Sequence, residues 1–185
     1  MSGADPAHSL VSKHRLEALA DGIFAIAMTI LVLEIKVPTL KDPDSAEEFF
    51  QSMAANAPTL TGYVLSFSAL GVMWYRHNRL IRPITSISEG VLVLYLAQFA
   101  SAAFFPFCAA VFGRYPGNGG AIVCYAGCVL VYQWAQVGAW ALACRQGLVS
   151  LQVGPAERRA LHVRNLRGGI MVLIAFACSM WAAFR

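Results

Sequence analysis

Charged residues are scarce in this chain: of 185 residues only 13% are Asp, Glu, Lys or Arg, and 58% are hydrophobic. A soluble domain carries about a quarter charged residues. The deficit excludes an ordinary soluble globular protein and predicts an integral membrane protein. No internal repeat and no low-complexity tract is visible.

The usual signatures of catalysis and metal binding are also missing. The sequence has no Gly-rich phosphate loop, no H-E-x-x-H and no Ser-His-Asp arrangement. Its five cysteines, which lack C-x-x-C spacing, fall within apolar segments, where they are expected to pack as small apolar side chains. These absences argue against an enzyme, a resident metal and a cofactor.

Long apolar runs are what the chain does have. Five are near the 20-residue length that crosses a bilayer, and they predict spans at about 16–37, 58–80, 89–112, 119–145 and 164–184. The predicted fold is therefore an all-α polytopic transmembrane bundle over 13–185, preceded by a disordered tail over 1–12. Nothing else is long enough for a soluble domain, so function must lie in the helices or their connections.

The basic residues follow the spans and indicate topology rather than nucleic-acid binding. With a cytoplasmic N-terminus, ten fall inside and four outside, as the positive-inside rule expects. The inner set is Lys13, Arg15, Arg76, Arg79, Arg82, Arg145, Arg158, Arg159, Arg164 and Arg167, and the outer set is Lys36, Lys41, Arg114 and Arg185. A cleaved signal peptide is the alternative for the first span, but "LEIKVPTL" offers no small-x-small cleavage site.

The first span carries carboxylates at both ends of a short apolar run. The twelve residues from Gly22 to Leu33 make about 18 Å of helix at ~1.5 Å per residue, so Asp21 and Glu34 lie in or near the apolar slab. A carboxylate there needs a partner or water. Arg15, Arg76 and His77 lie on the same predicted cytoplasmic side as Asp21, which predicts a buried network among them. Such a network would either lock two helices together or take part in gating.

One face of the same span carries an apolar stripe. Ile26, Ile30, Leu33 and Val37 stand at i, i+4, i+7 and i+11, with Thr29 beside them. Such a stripe is more often a packing seam than a pore lining, and periodicity alone does not make it a pore.

The remaining spans carry fewer signals. Ser45-x-x-Glu48 predicts a capping box and a short outside helix. Pro106 is expected to kink or unwind the third span, and Gln98, Gln133 and Gln136 are expected to hydrogen-bond between helices. His77 and Asn78 are the unexpected polar residues after the interfacial Trp74.

Two of these segments carry a resemblance. Residues 15–35, "RLEALADGIFAIAMTILVLEI", together with Trp74 and His77, resemble the lysosomal potassium channel family called transmembrane protein 175. The resemblance covers essentially the whole chain, but its specific motifs lie in 15–37 and 71–82.

The resemblance implies a homotetrameric, potassium-preferring cation channel lined by the first helix, in the cell membrane. It places the constriction at Ile26, Ile30 and Leu33, with Thr29 in the filter layer. It implicates Arg15 and Asp21 with His77 in an interhelical network, beside Trp74 and Asn78. The expected partners are other copies of the chain, lipid and permeant potassium, with no cofactor and no nucleic acid.

The chain departs from the family pattern in two places. The family's Phe-Ser before the Asp is Leu19-Ala20, which removes one aromatic contact and one hydroxyl. Family members generally have six spans, and this chain shows five. No carbonyl filter of the TVGYG kind is present, so selectivity would come from partial dehydration at an apolar ring.

Two other classes of function stay open from the sequence. A proton-coupled transporter would use Asp21 and His77 as a relay and give saturable, pH-coupled flux. A non-conducting assembly subunit would use the apolar stripe as an oligomer seam and give no flux.

Overall fold

Helices account for nearly all of the chain in the computed structural model, which describes residues 12–183. Residues 1–11 of the predicted tail, and Arg185, lie outside the described residues. The helices are α1 Lys13–Ile30, α2 Ala46–Ala55, α3 Ala57–Ile81, α4 Glu89–Arg114, α5 Gly119–Arg145 and α6 Pro155–Ala183, with a 3₁₀ turn at Leu31–Glu34 after α1. The described part has no strand, only one isolated bridge between Ile84 and Val149. The predicted all-α bundle is confirmed.

Short polar side chains begin four of these helices. Ser12, Ser45, Ser88 and Asn118 each accept a hydrogen bond from a backbone N–H in the first turn, at 3.4, 3.2, 3.4 and 3.2 Å. Each bond satisfies one of the donors that a helix start leaves open. The short helix predicted after Ser45 is therefore present as α2.

Four helical segments of the described chain are long and apolar enough to cross a membrane: Lys13–Glu34, Glu89–Arg114, Gly119–Arg145 and Pro155–Trp181. They coincide with four of the five predicted spans. The other predicted span, 58–80, coincides with α3, which is long enough, but whose threonines and serines lower its apolar content. Pro106 lies within α4, which continues through it to Arg114.

The long helices pack around two apolar clusters. α1 contacts α3 and α4, α4 packs along α5, and α6 packs on α5. One cluster lies where α1 begins and includes Leu16, Tyr95 and Trp140. The other follows along the same helices and includes Phe24, Phe105 and Tyr132, whose hydroxyl donates to the Met73 carbonyl oxygen at 2.8 Å.

Two loops are joined at the end where α1 begins. The backbone N–H of Thr85 donates to the Leu148 carbonyl and that of Ser150 to the Pro83 carbonyl, both at 2.8 Å. Gly147, at φ 69°, provides the left-handed residue that ends α5 before this contact. The start of α1, the end of α3, the start of α4, the end of α5 and the start of α6 thus share one end of the bundle.

Candidate functional site

α1 has two faces of opposite character. One is buried against α3 and α4, and its members follow a helical repeat: Leu16, Ala20, Phe24, Ala27 and Leu31. On another side of the helix, Ile26, Ile30 and Leu33 are 60%, 41% and 75% exposed in the single chain. Exposed apolar side chains on a membrane-spanning helix face either lipid or another protein surface.

The exposed stripe ends sooner than the sequence predicted. α1 stops at Ile30, Leu33 lies in the 3₁₀ turn, and Ile35 is extended at φ −81°, ψ 102°. Val37 therefore leaves the helix, and its predicted place on the stripe is wrong. Pro38 disfavours the helical conformation at Val37, but the chain has already left the helix at Ile35, three residues before the proline.

Thr29 lies between the apolar members of this face. Its hydroxyl is exposed and lies 3.0 Å from the carbonyl oxygen of Ala25 and 2.9 Å from that of Ile26. With its proton directed to its own helix, the hydroxyl presents only acceptor capacity outward.

Asp21 is held by Trp74. The indole Nε1 of Trp74 on α3 donates to the Asp21 carboxylate at 2.7 Å, which ties α1 to α3. Asp21 is exposed in the single chain, so the prediction that it belongs to a buried network is wrong. A predicted member of the network, Arg15, is also exposed and forms no side-chain bond with the described residues.

His77 does not join Asp21. It is 1% exposed, and its Nδ1 lies 3.4 Å from Oε1 of Gln98 on α4. The rings of Tyr95 and Phe99 surround it at centroid distances of 5.3 and 5.2 Å. Asn78 bonds within its own helix, donating to the Trp74 carbonyl oxygen at 3.2 Å.

The sequence analysis missed two polar partners in this region. Gln98 was expected to bond between helices, but its pairing with His77 was not predicted. Asn165 on α6 is 3% exposed and accepts from Gln133 of α5 at 3.2 Å. The signal for both was an amide residue within a predicted span or at its start, since most buried side-chain amides are paired. Gln136, by contrast, has no side-chain partner among the described residues.

Charged side chains lie near both ends of the segment formed by α1 and its 3₁₀ turn. Asp21 is exposed near its start, and Glu34 and Lys36 are exposed beyond its far end. Within the described part of the chain no group of three His, Cys, Asp or Glu side chains could hold a metal ion.

The first half of the chain matches a known protein family. The pattern of the family described as "Endosomal/lysosomal potassium channel TMEM175" matches residues 15–106. A potassium channel of Chamaesiphon minutus is 30% identical over 169 residues, which are 89% of this chain and 83% of that protein.

Other relatives match over less of their length. A potassium channel of Streptomyces collinus is 33% identical over 101 residues, 55% of this chain and 48% of its own. The human protein named "Endosomal/lysosomal proton channel TMEM175" is 30% identical over 92 residues, 47% of this chain and only 18% of its own. The matched region thus spans half or less of these two relatives.

A solved structure matches the whole bundle. The crystal structure of a lysosomal potassium-selective channel TMEM175 homolog from Chamaesiphon minutus superposes with a TM-score of 0.78 at 28% identity. The superposition covers 93% of this chain and 90% of that one.

Proposed function

The chain belongs to the TMEM175 family of ion channels, and on that premise we propose that it is a potassium-preferring cation channel. Four copies surround the pore, and α1 with its 3₁₀ turn lines it. The permeant ion is the substrate, and no resident cofactor takes part.

The exposed face of α1 carries this proposal. Ile26, Ile30 and Leu33 project away from the rest of their own subunit. If this face met only lipid, the exposed hydroxyl of Thr29, which lies beside it, would find no polar partner beyond its own helix. Around a central axis shared by several copies, the apolar side chains of different copies pack against one another. The polar side chain beside them faces water in the pore.

The narrowest part of such a pore would be apolar. A cation passes a ring of isoleucine and leucine side chains only by shedding part of its hydration shell. Potassium holds its water less tightly than sodium, so its penalty is smaller and the preference is modest. The same ring closes by dewetting when it narrows, which makes filter and gate one structure.

The membrane position follows from the charge distribution. The end of the bundle where α1 begins carries most of the basic residues, and the positive-inside rule assigns that end to the cytoplasm. The protein is then a multi-pass protein of the cell membrane with a cytoplasmic N-terminus.

Proton permeation is the second candidate, favoured by a specific observation. The human and mouse relatives are named proton channels. An apolar constriction that admits a chain of waters passes protons as well as dehydrated cations, so a pH gradient belongs in every test of this chain.

The proposal is tested by changing Ile26 to Asn in protein reconstituted into planar bilayers. An amide side chain offers oxygen to the ion and keeps the constriction wet, so we expect higher single-channel conductance and a potassium-to-sodium permeability ratio closer to one. The matched control is Val93→Asn, since Val93 is 63% exposed on α4, away from the α1 face.

Unchanged permeability ratios in Ile26→Asn, with the protein still oligomeric, would contradict a filter at Ile26. Equal changes in the Val93→Asn control would assign the effect to general loosening of the bundle.

A further inference from the structure

A cavity of about 540 Å³ lies between α3 and α6, away from the α1 face. α6 packs on α5 and scarcely on α3, which leaves this cleft open along the side of the bundle. Its polar lining consists of Arg76, Arg79, Arg164, Tyr75 and Asn165. It lies toward the end of the bundle where α1 begins.

The cavity is positively charged and unneutralised. Three guanidinium groups line it, and none of its lining residues is acidic. Within 12–183 the one ion pair joins Lys13 to Glu17 at 3.7 Å, so none of the three arginines has a carboxylate partner. Three cations around one cavity repel each other unless an anion joins them.

The geometry holds one guanidinium in place for such an anion. Arg76 donates from Nη2 to Oδ1 of Asn165 at 3.3 Å, and Asn165 is itself fixed by Gln133. Gly168 allows this approach, because a Cβ there would lie 2.7 Å from Nη2 of Arg76. Arg76 is half-buried, whereas Arg79 and Arg164 are exposed and free to close on a ligand.

Apolar surface beside the cavity favours a lipid over a soluble phosphate as the bound anion. Val72, one turn before Arg76 on α3, lines the cavity and is 57% exposed. Met171, one turn beyond Gly168 on α6, is 68% exposed. An occupant whose phosphate meets the arginines would therefore lay its remainder on apolar surface within the membrane. Basic pockets between transmembrane helices bind lipid headgroups in this way, and arginine matches phosphate oxygens in a bidentate manner.

We propose that the cleft between α3 and α6 binds the phosphate headgroup of an anionic membrane lipid, held by Arg76, Arg79 and Arg164. This site is separate from the conducting face of α1, and its occupancy does not depend on the channel proposal.

The test measures the thermal unfolding midpoint of the purified full-length protein in an uncharged detergent, from its tryptophan fluorescence. Dioctanoyl phosphatidylglycerol is titrated in, with dioctanoyl phosphatidylcholine and glycerol 3-phosphate in parallel. We expect saturable stabilisation by the anionic lipid alone, because it supplies both the charge and the acyl chains.

The pocket variant is Arg79→Gln with Arg164→Gln, both exposed positions that leave the buried Arg76–Asn165 contact intact. Its control is Arg145→Gln with Arg159→Gln, which removes the same charge from the same end of the bundle but outside the cavity. We expect the apparent affinity for phosphatidylglycerol to fall about tenfold or more in the pocket variant, at about 1 kcal/mol for each arginine removed, and to stay near the wild-type value in the control.

Three results would overturn the proposal. Equal weakening in both variants would show diffuse surface attraction. Equal stabilisation by glycerol 3-phosphate would identify a soluble phosphate as the ligand. Loss of the oligomer in the pocket variant, seen by size-exclusion chromatography, would show that a second copy of the chain occupies the cleft.

Discussion

At the residue scale, the contact between Asp21 and Trp74 is the main polar link from α1 to α3. The carboxylate accepts a 2.7 Å bond from the indole N–H, a short charge-assisted contact. The Asp21 carboxylate is therefore stabilised by a hydrogen-bond donor on the neighbouring helix rather than by a buried ion pair. If α1 lines the pore, this bond fixes the angle at which the apolar face is presented.

Changing Trp74 to Phe tests the link, since it keeps most of the ring and removes the donor. We expect a loss of about 1 kcal/mol in the free energy of unfolding, the usual net worth of one hydrogen bond, measured by denaturant titration in detergent micelles. Trp134→Phe is the control, because Trp134 is similarly exposed at 37% and no hydrogen bond of its indole is found within the described residues. Equal losses in the two variants would mean that ring packing, and not the bond to Asp21, stabilises this region.

The sequence predicted the apolar members of the α1 face better than its polar contacts. Periodicity groups Ile26, Ile30 and Leu33, because side-chain direction follows from helix geometry. It does not reveal which of several polar residues on α3 lies opposite Asp21. Trp74 and His77 are three residues apart on one helix, and only packing against α4 directs His77 inward to Gln98.

At the element scale, the segment after the 3₁₀ turn is held by α2. The Glu48 carboxylate accepts from the backbone N–H of Lys41 at 2.8 Å and of Asp42 at 3.0 Å. Only half of the predicted capping box forms, since the N–H of Ser45 donates to the Asp42 carbonyl and not to Glu48. Glu48 thereby ties α2 to the segment that leads back to the end of α1.

This contact predicts a pH dependence. The two backbone donors favour the ionised form, so the pKa of the Glu48 carboxyl lies below its ordinary value of 4.5. A lowered pKa in the folded state means that the contact contributes stability above the ordinary value and loses it as the pH falls through the lower, folded-state pKa. We expect the hydrogen-exchange protection factors of the Lys41 and Asp42 amides to fall over that acidic interval.

Glu48→Gln should lower the same protection factors at neutral pH and abolish their acid transition. Glu47→Gln is the control, since Glu47 accepts only from the side chain of Gln51. An acid transition that persists in Glu48→Gln would assign it to another group.

Element boundaries were the weaker part of the sequence prediction. The first span was placed at 16–37, yet α1 and its 3₁₀ turn end at Glu34. Apolar content continues through Ile35 and Val37, so hydropathy does not detect that the helical segment has already ended at Glu34. Pro106 does not end α4, which continues past it to Arg114, since neighbouring helices can compensate for a missing backbone bond.

At the scale of the whole molecule, the face of α1 that carries Ile26, Ile30 and Leu33 is exposed, and residues 12–183 do not cover it. The opposite side of α1 packs against α3 and α4, where the two apolar clusters lie. The sequence indicated which side of α1 is packed and which is exposed only through the family resemblance. Composition alone does not separate a lipid-facing stripe from a pore-facing one.

The central claim is that the assembled protein is a potassium-preferring cation pore. The most direct measurement is the reversal potential of the purified protein in a planar bilayer, with potassium on one side and sodium on the other at equal pH, followed by a pH gradient under symmetric potassium. We expect a reversal potential displaced toward the potassium equilibrium potential in the first condition and little displacement in the second. A potential that follows the pH gradient alone would identify a proton pathway, and the absence of current from protein that remains oligomeric would contradict the claim that it is a channel.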